Sequence, residues 1–130
     1  MKAKQIQEKI DDLNYWDSEV LQVNIEYFGD EVTIIFDEIK LLFNGCSKVN
    51  ITTDPQDRKM PIRSLTSNQM PYYMQDIEVT DFSTESSTVV YFGGEKLPKP
   101  VEKFNLFKCK ILMPPLTVEV CCSSINIGKR

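Results

Sequence analysis

The sequence predicts a mainly β protein: an antiparallel β-sandwich or partly open barrel of about seven to eight strands, led by a short N-terminal helix. Three observations predict it. Apolar and polar residues alternate with period two over much of the 130-residue chain. Turn-forming pairs such as Gly29-Asp30, Asn44-Gly45 and Gly93-Gly94 interrupt that alternation at near-regular intervals. Consecutive strands follow one another with no long helices between them, which argues against a parallel α/β sheet.

The elements follow in order. Ile6, Ile10 and Leu13 recur at helical spacing among Lys, Gln and Glu, so residues 2–14 read as an amphipathic helix covering one end of a sheet. From Val20 the period becomes two. Leu21, Val23, Ile25 and Tyr27 alternate with Gln22, Asn24 and Glu26, predicting a strand with one buried face. With the return strand 32–36 it forms a hairpin, and Asp37-Glu38 separates it from a third strand at 39–43. Residues 47–52 are a fourth. Residues 53–71, polar and broken by Pro55, Pro61 and Pro71, form an irregular loop longer than ordinary connections. Alternation resumes at 72–82, with Tyr73, Gln75, Ile77 and Val79 on one side and Asp76, Glu78 and Thr80 on the other. Residues 88–92 are strongly β-forming, 97–100 read as a loop, 106–113 as a strand ended by Pro114-Pro115, and 116–127 as a last strand or two. The reading is of one domain over residues 1–130, with no repeat.

Composition narrows the chemistry. The chain has no histidine, which removes the Ser-His-Asp triad, the Cys-His dyad and every zinc site built on imidazole. The sequence contains no GxGxxG, GxxxxGK[ST] or CxxC motif. The net charge of −4 is unevenly spread: residues 1–38 carry a net of −7 and residues 96–130 a net of +5. Such a split marks a partner surface, or two chain ends lying against each other in a compact fold. An acidic chain is a poor match for nucleic acid, because phosphate contacts need clustered Lys and Arg. Behind Met1-Lys2-Ala3-Lys4 there is no apolar segment of signal-peptide length, and no membrane-spanning run follows. A cytoplasmic protein with four reduced cysteines is expected, bound to neither membrane nor nucleic acid. Cys46, Cys109 and Cys121 stand in apolar surroundings that suit small buried hydrophobes. Cys121 and Cys122 are neighbours, so on a strand one is expected to be buried and the other exposed.

Carboxylates and aromatics are what remains for function. Asp17 and Glu19 lie two apart, as do Asp76 and Glu78, and on a strand each pair projects from one face. That spacing suits a glycosidase-type pair or an oxygen-ligand metal site, but it equally describes solvated strand faces. Tyr15, Trp16, Tyr72, Tyr73 and Phe82 flank the expected loops. Aromatics beside carboxylates are typical interface anchors, although a lone tryptophan more often fills a core. The expected partner-binding set is Trp16, Asp17, Glu19, Tyr72, Tyr73, Asp76, Glu78 and Asp81, with no catalytic residue, metal ligand or cofactor.

The run Leu13-Asn14-Tyr15-Trp16-Asp17-Ser18-Glu19-Val20, leading into a hairpin that ends at Phe36, resembles the opening of small bacterial immunity proteins of the immunity protein 50 family. Leu42-Phe43-Asn44-Gly45-Cys46 resembles their apolar strand with its Phe-x-Gly turn, and residues 118–127 resemble their closing strand. The resemblance covers roughly residues 13–52 and 116–127. Trp16 stands where many relatives place a histidine, so no role that needs an imidazole carries over. The resemblance implies a cytoplasmic antidote, not an enzyme, that binds and neutralises a cognate toxin. For a basic toxin, the acids of residues 17–38 and 76–85 would mimic phosphate. Two other readings stay open: a β-barrel holding a small apolar ligand, with a sizeable internal pocket as its mark, and an enzyme built on Asp17, Glu19 or a cysteine.

Overall fold

The computed structural model describes residues 2–54, 61, 63, 72–86, 89–98 and 101–130. Among these, helix α1 (Ala3–Asp11) precedes ten strands: β1 (Val20–Glu26), β2 (Glu31–Phe36), β3 (Ile39–Asn44), β4 (Lys48–Thr53), β5 (Asp76–Ser86), β6 (Val89–Phe92), β7 (Glu95–Pro98), β8 (Glu102–Met113), β9 (Leu116–Cys122) and β10 (Ser124–Lys129). Eight strands form two four-stranded antiparallel sheets, ordered β1-β2-β3-β10 and β4-β9-β8-β5; β6 and β7 pair as a separate ribbon. The predicted mainly β, sandwich-like architecture with a leading helix is what the chain adopts.

Period-two patterning explains the core. Val32, Ile34 and Phe36 of β2 and Leu41 and Phe43 of β3 are fully buried on the inner face of the first sheet. Ile77, Cys109, Ile111, Met113, Val118, Val120 and Cys122 answer them from the second. Ala3, Ile6 and Ile10 of α1, with Tyr15 and Met74, close one end of the same apolar cluster. A nine-residue helix is too short to persist alone in water, so α1 depends on this packing.

Two adjacent corners carry the chain between sheets. The β3–β10 ladder in the first sheet ends at Asn44↔Ser124, and the β4–β9 ladder in the second begins at Lys48↔Cys121. Three residues (45–47) thus face two (122–123), a bulge-like mismatch that bends the ribbon. Gly45 sits there at φ +62°, and a Cβ at this position would collide with the Ser123 side chain. Ser123 N–H donates to the Asn44 carbonyl at 3.0 Å, and Ser47 N–H to that of Cys121 at 2.8 Å. On the opposite side, residues 17–20 pair with 72–74: Asp17 N–H to Met74 O at 2.8 Å, Met74 N–H to Ser18 O at 2.8 Å, and Val20 N–H to Tyr72 O at 3.1 Å. The barrel-like element of the expectation is this strip, which joins β1 of one sheet to the lead-in of β5 in the other.

The outer edge of β5 is covered by α1. Gln7 accepts the Val79 N–H through Oε1 at 2.6 Å and donates from Nε2 to the Ile77 carbonyl at 2.8 Å, mimicking a neighbouring strand. Asp81 accepts the Ala3 N–H at 3.2 Å, placing a carboxylate at the N-terminus of a helix whose first turn has no acid. An edge strand so covered is shielded from pairing with another chain.

Several expectations need correcting. The helix stops at Asp11 rather than 14, because Asn14 turns to φ +51° and directs Tyr15 into the core. The apolar side of β1 is buried only in part: Val20 is buried and Val23 packs against the core, but the rest of that side is uncovered. β1 is a sheet edge, a register shift falls between Val20 and Gln22, and Leu21, Ile25 and Tyr27 are exposed. Between 72 and 79 the phase slips: Tyr72 and Met74 are buried, then Ile77 and Val79, while Tyr73 and Gln75 face outward. The chain there leaves its pairing with 17–20 and enters the β8 ladder, and the two partners impose different phases. Residues 95–98 form β7 rather than part of a loop, since Gly93 and Gly94 at φ +58° and +85° make a two-residue hairpin turn. Thr53 belongs to β4, and most of the expected 53–71 loop lies outside the described residues. Both Cys121 and Cys122 are buried. Cys122 points into the core, while Cys121, 3% exposed, lies on the outer face between Lys48 and Lys108, whose stems flank it in register.

Candidate functional site

Five of the sequence-predicted site residues meet at one end of β1. Tyr15 is buried and anchors the group: its hydroxyl accepts the Ile77 N–H at 2.9 Å and lies 3.4 Å from the Asp76 carboxylate. Burial raises the Tyr15 pKa above its ordinary value, helped by the negative charges of Asp76 and Asp11, while the Ile77 hydrogen bond pulls the other way. Trp16 stacks on Tyr15 with ring centroids 4.3 Å apart and is 49% exposed. Trp16 is therefore a surface ring seated on a core ring. Asp17 stands at φ +64°, and its carboxylate accepts a 3.0 Å hydrogen bond from the Gln75 amide. Glu19 is exposed and bridges backbone to Tyr73, whose ring is 47% exposed. The Glu19 carbonyl also accepts the Asp37 N–H at 3.2 Å, which draws the Asp37-Glu38 turn beside it.

The remaining three residues do not join this surface. Tyr72 is buried, with its hydroxyl unpartnered among the described residues. Glu78 stands on the outer face of the second sheet, directly opposite Lys110. Asp81 serves the N-terminus of α1. The surface at the end of β1 thus joins Trp16, Asp17, Glu19, Tyr73 and Asp76, and the acidic Asp37-Glu38 turn adjoins it.

Charge sharpens this surface. From Ile10 to Ile39 the chain has nine acids and no Lys or Arg. Among the described residues, no ion pair joins those acids to a base; the pairs present are Lys48–Glu119 at 3.1 Å and Lys108–Glu119 at 3.7 Å, on the outer face of the second sheet. The Lys48 hydrogen bond, aided by the charges of Lys108 and Lys110, holds Glu119 below the usual carboxylate range. The acidic segment 1–38 and the basic segment 96–130 do touch, with Arg130 N–H on the Glu38 carbonyl at 3.0 Å, but this is a backbone contact.

Other chemistries find less support. Among the described residues no group of three or more Cys, Asp or Glu is placed to hold a metal ion. All four cysteines are free. Burial, with the nearby Asp30 charge, pushes the Cys46 thiol up to about 11, and burial pushes Cys122 up to about 12 and raises Cys109 further. Such thiols are protonated and poor nucleophiles at neutral pH. Three clefts lined by described residues are open to the surface. One of about 700 Å³ lies on the outer face of the second sheet, over Phe82, Phe104, Leu106 and Cys121. No described helix is long and apolar enough to cross a membrane.

Sequence reasoning missed the other end of β1. Leu21, Ile25, Tyr27 and Phe28 are all exposed, Phe28 completely so. The clue was the position of β1 as the first strand after the helix, next to a Gly-Asp turn: period two shows that one face is apolar, not that a second layer covers it. No curated protein matches the chain. A family model does match, that of immunity protein PIM7, over residues 2–93, which run from α1 through β6 and include Trp16, Asp17, Glu19, Tyr73 and Asp76. The match bears out the resemblance to small immunity proteins, and the chain belongs to the immunity protein PIM7 family.

Proposed function

We propose that this protein binds and neutralises a cognate bacterial toxin in the cytoplasm of the cell that makes it, without catalysis or cofactor. The observation that carries this reading is the immunity-family match over residues 2–93. The surface of Trp16, Asp17, Glu19, Tyr73 and Asp76 supports it. Two half-exposed aromatic rings supply the area that anchors interfaces, and the surrounding acids have no described ion pair within the chain. Acids held in this way complement a cationic partner, speed its approach and select against acidic competitors. A toxin that acts on nucleic acid fits this description, since its substrate cleft is basic.

The test is titration of the purified toxin domain against the chain at low and high salt, alongside a triple variant carrying Asp17→Asn, Glu19→Gln and Asp76→Asn. Tight binding that weakens steeply with salt and in the triple variant is the expected result. Binding indifferent to both removes the electrostatic surface from the reading. Glu78→Gln and Asp81→Asn serve as comparisons, since Glu78 faces Lys110 and Asp81 caps α1.

A further inference from the structure

At the far end of β1, the hairpin to β2 turns through Tyr27, Phe28 and Gly29, all in the left-handed region at φ +52°, +59° and +91°. Glycine accepts that conformation freely, but a bulky aromatic residue there is strained. Asn and Gly are the residues that ordinarily take such positions. Here two large rings take strained positions and contribute little to the fold: Tyr27 is 69% exposed and Phe28 112%. The turn is nonetheless firmly mounted. Asp30 N–H donates to the Tyr27 carbonyl at 3.1 Å, Cys46 N–H donates to the Asp30 carbonyl at 2.9 Å, and Val32 just beyond is fully buried. Strain retained at an exposed, rigidly held position points to a use outside the chain.

Charge identifies the partner. Glu26, Asp30 and Glu31 flank the rings, within the stretch from Ile10 to Ile39 that has no base. An anionic lipid surface would be repelled by such a tip, whereas a cationic protein would be drawn to it. We propose that Tyr27 and Phe28 form an aromatic wedge that enters an apolar recess bordered by Lys and Arg on the toxin. This rests on the toxin-binding reading and extends it to a second contact. The seven-residue β1 puts the wedge roughly 23 Å from the Trp16 surface, a span one ordinary interface covers. Leu21 and Ile25 are exposed between them.

The experiment compares the wild-type chain with a double variant, Tyr27→Asn and Phe28→Gly. The probe is the toxin-domain protein recovered stoichiometrically with the tagged wild-type chain, then purified alone and titrated calorimetrically. The variant is expected to melt at the same temperature or higher, because the turn loses its strain, and to bind about thirtyfold or more weakly. Equal binding by wild type and variant overturns the wedge and leaves toxin binding standing. Failure of the wild type to retain any toxin domain overturns both. A lower melting temperature for the variant makes the rings structural and overturns the wedge. So does sedimentation of the wild type, but not the variant, with phosphatidylglycerol vesicles, which assigns the tip to a membrane.

Discussion

Tyr15 ties together three parts of the molecule with one side chain. Its ring supports Trp16, its hydroxyl accepts the Ile77 N–H at the edge of β5, and Asp76 lies within reach of the same oxygen. Tyr15→Phe keeps the packing but leaves a buried N–H unpaired. The expected cost is about 1–3 kcal/mol, measured by urea unfolding, with faster hydrogen exchange at Ile77. The thiols give a pH signature. In the unfolded chain they ionise near their ordinary value of 9.0, whereas burial holds Cys46 up to about 11 and Cys122 up to about 12. Above 9.0 the unfolded state therefore binds fewer protons than the folded one, and stability falls as pH rises. The contribution is complete below that pH and is lost on the alkaline side. The urea midpoint is expected to decline from pH 9 towards 11, and less steeply in the Cys46→Ala and Cys122→Ala variants.

At the scale of elements, the decisive features are how edges and corners are managed. Gln7 pairs with both backbone groups that β5 presents between Ile77 and Val79, so a single side chain stands in for a strand. Gln7→Leu preserves helix propensity and size while removing both bonds. It is expected to destabilise by about 1–3 kcal/mol and to raise the tendency to self-associate, read by urea unfolding and sedimentation velocity. The corner at Gly45 is equally specific. Gly45→Ala brings both backbone strain and a collision with Ser123, and an expected loss of about 1–3 kcal/mol. Adding Ser123→Gly removes the collision and not the strain, so it should recover only part of that loss, which a double-mutant cycle resolves. Much of this level was legible beforehand. Asn44-Gly45 and Pro114-Pro115 appear as turns, and the strand at 39–43 differs by one residue from β3. What was not legible was the second partner of a segment. Nothing local in residues 72–82 shows that 72–74 pair with 17–20 while 76–86 pair with β8, and that change of partner shifts the buried phase.

Across the whole molecule, charge and fold pull in opposite directions. Nine acids between Ile10 and Ile39 have no described ion pair, so they repel one another in the folded chain. Added sodium chloride screens that repulsion, and the melting temperature is expected to rise with salt while affinity for a cationic partner falls. A melting temperature that falls with salt would mean that attractive pairs dominate. The sequence by itself determined the β class, the leading helix and most turns, because period two, Gly and Pro act over a few neighbouring residues. It also determined that Asp17, Glu19 and Asp76 are acids near aromatics. Only the tertiary structure decided that Trp16, Asp17, Glu19, Tyr73 and Asp76 share one surface while Tyr72 is buried, Glu78 faces Lys110 and Asp81 caps α1. It likewise decided that β1 is an edge on which Val20 and Val23 meet the core while Leu21 and Ile25 remain exposed. The reason is physical: alternation shows that a strand has two unlike faces, but which edge is paired and which face is covered depends on residues brought together from 50 or more positions away, as Tyr15 and Ile77 are, 62 apart.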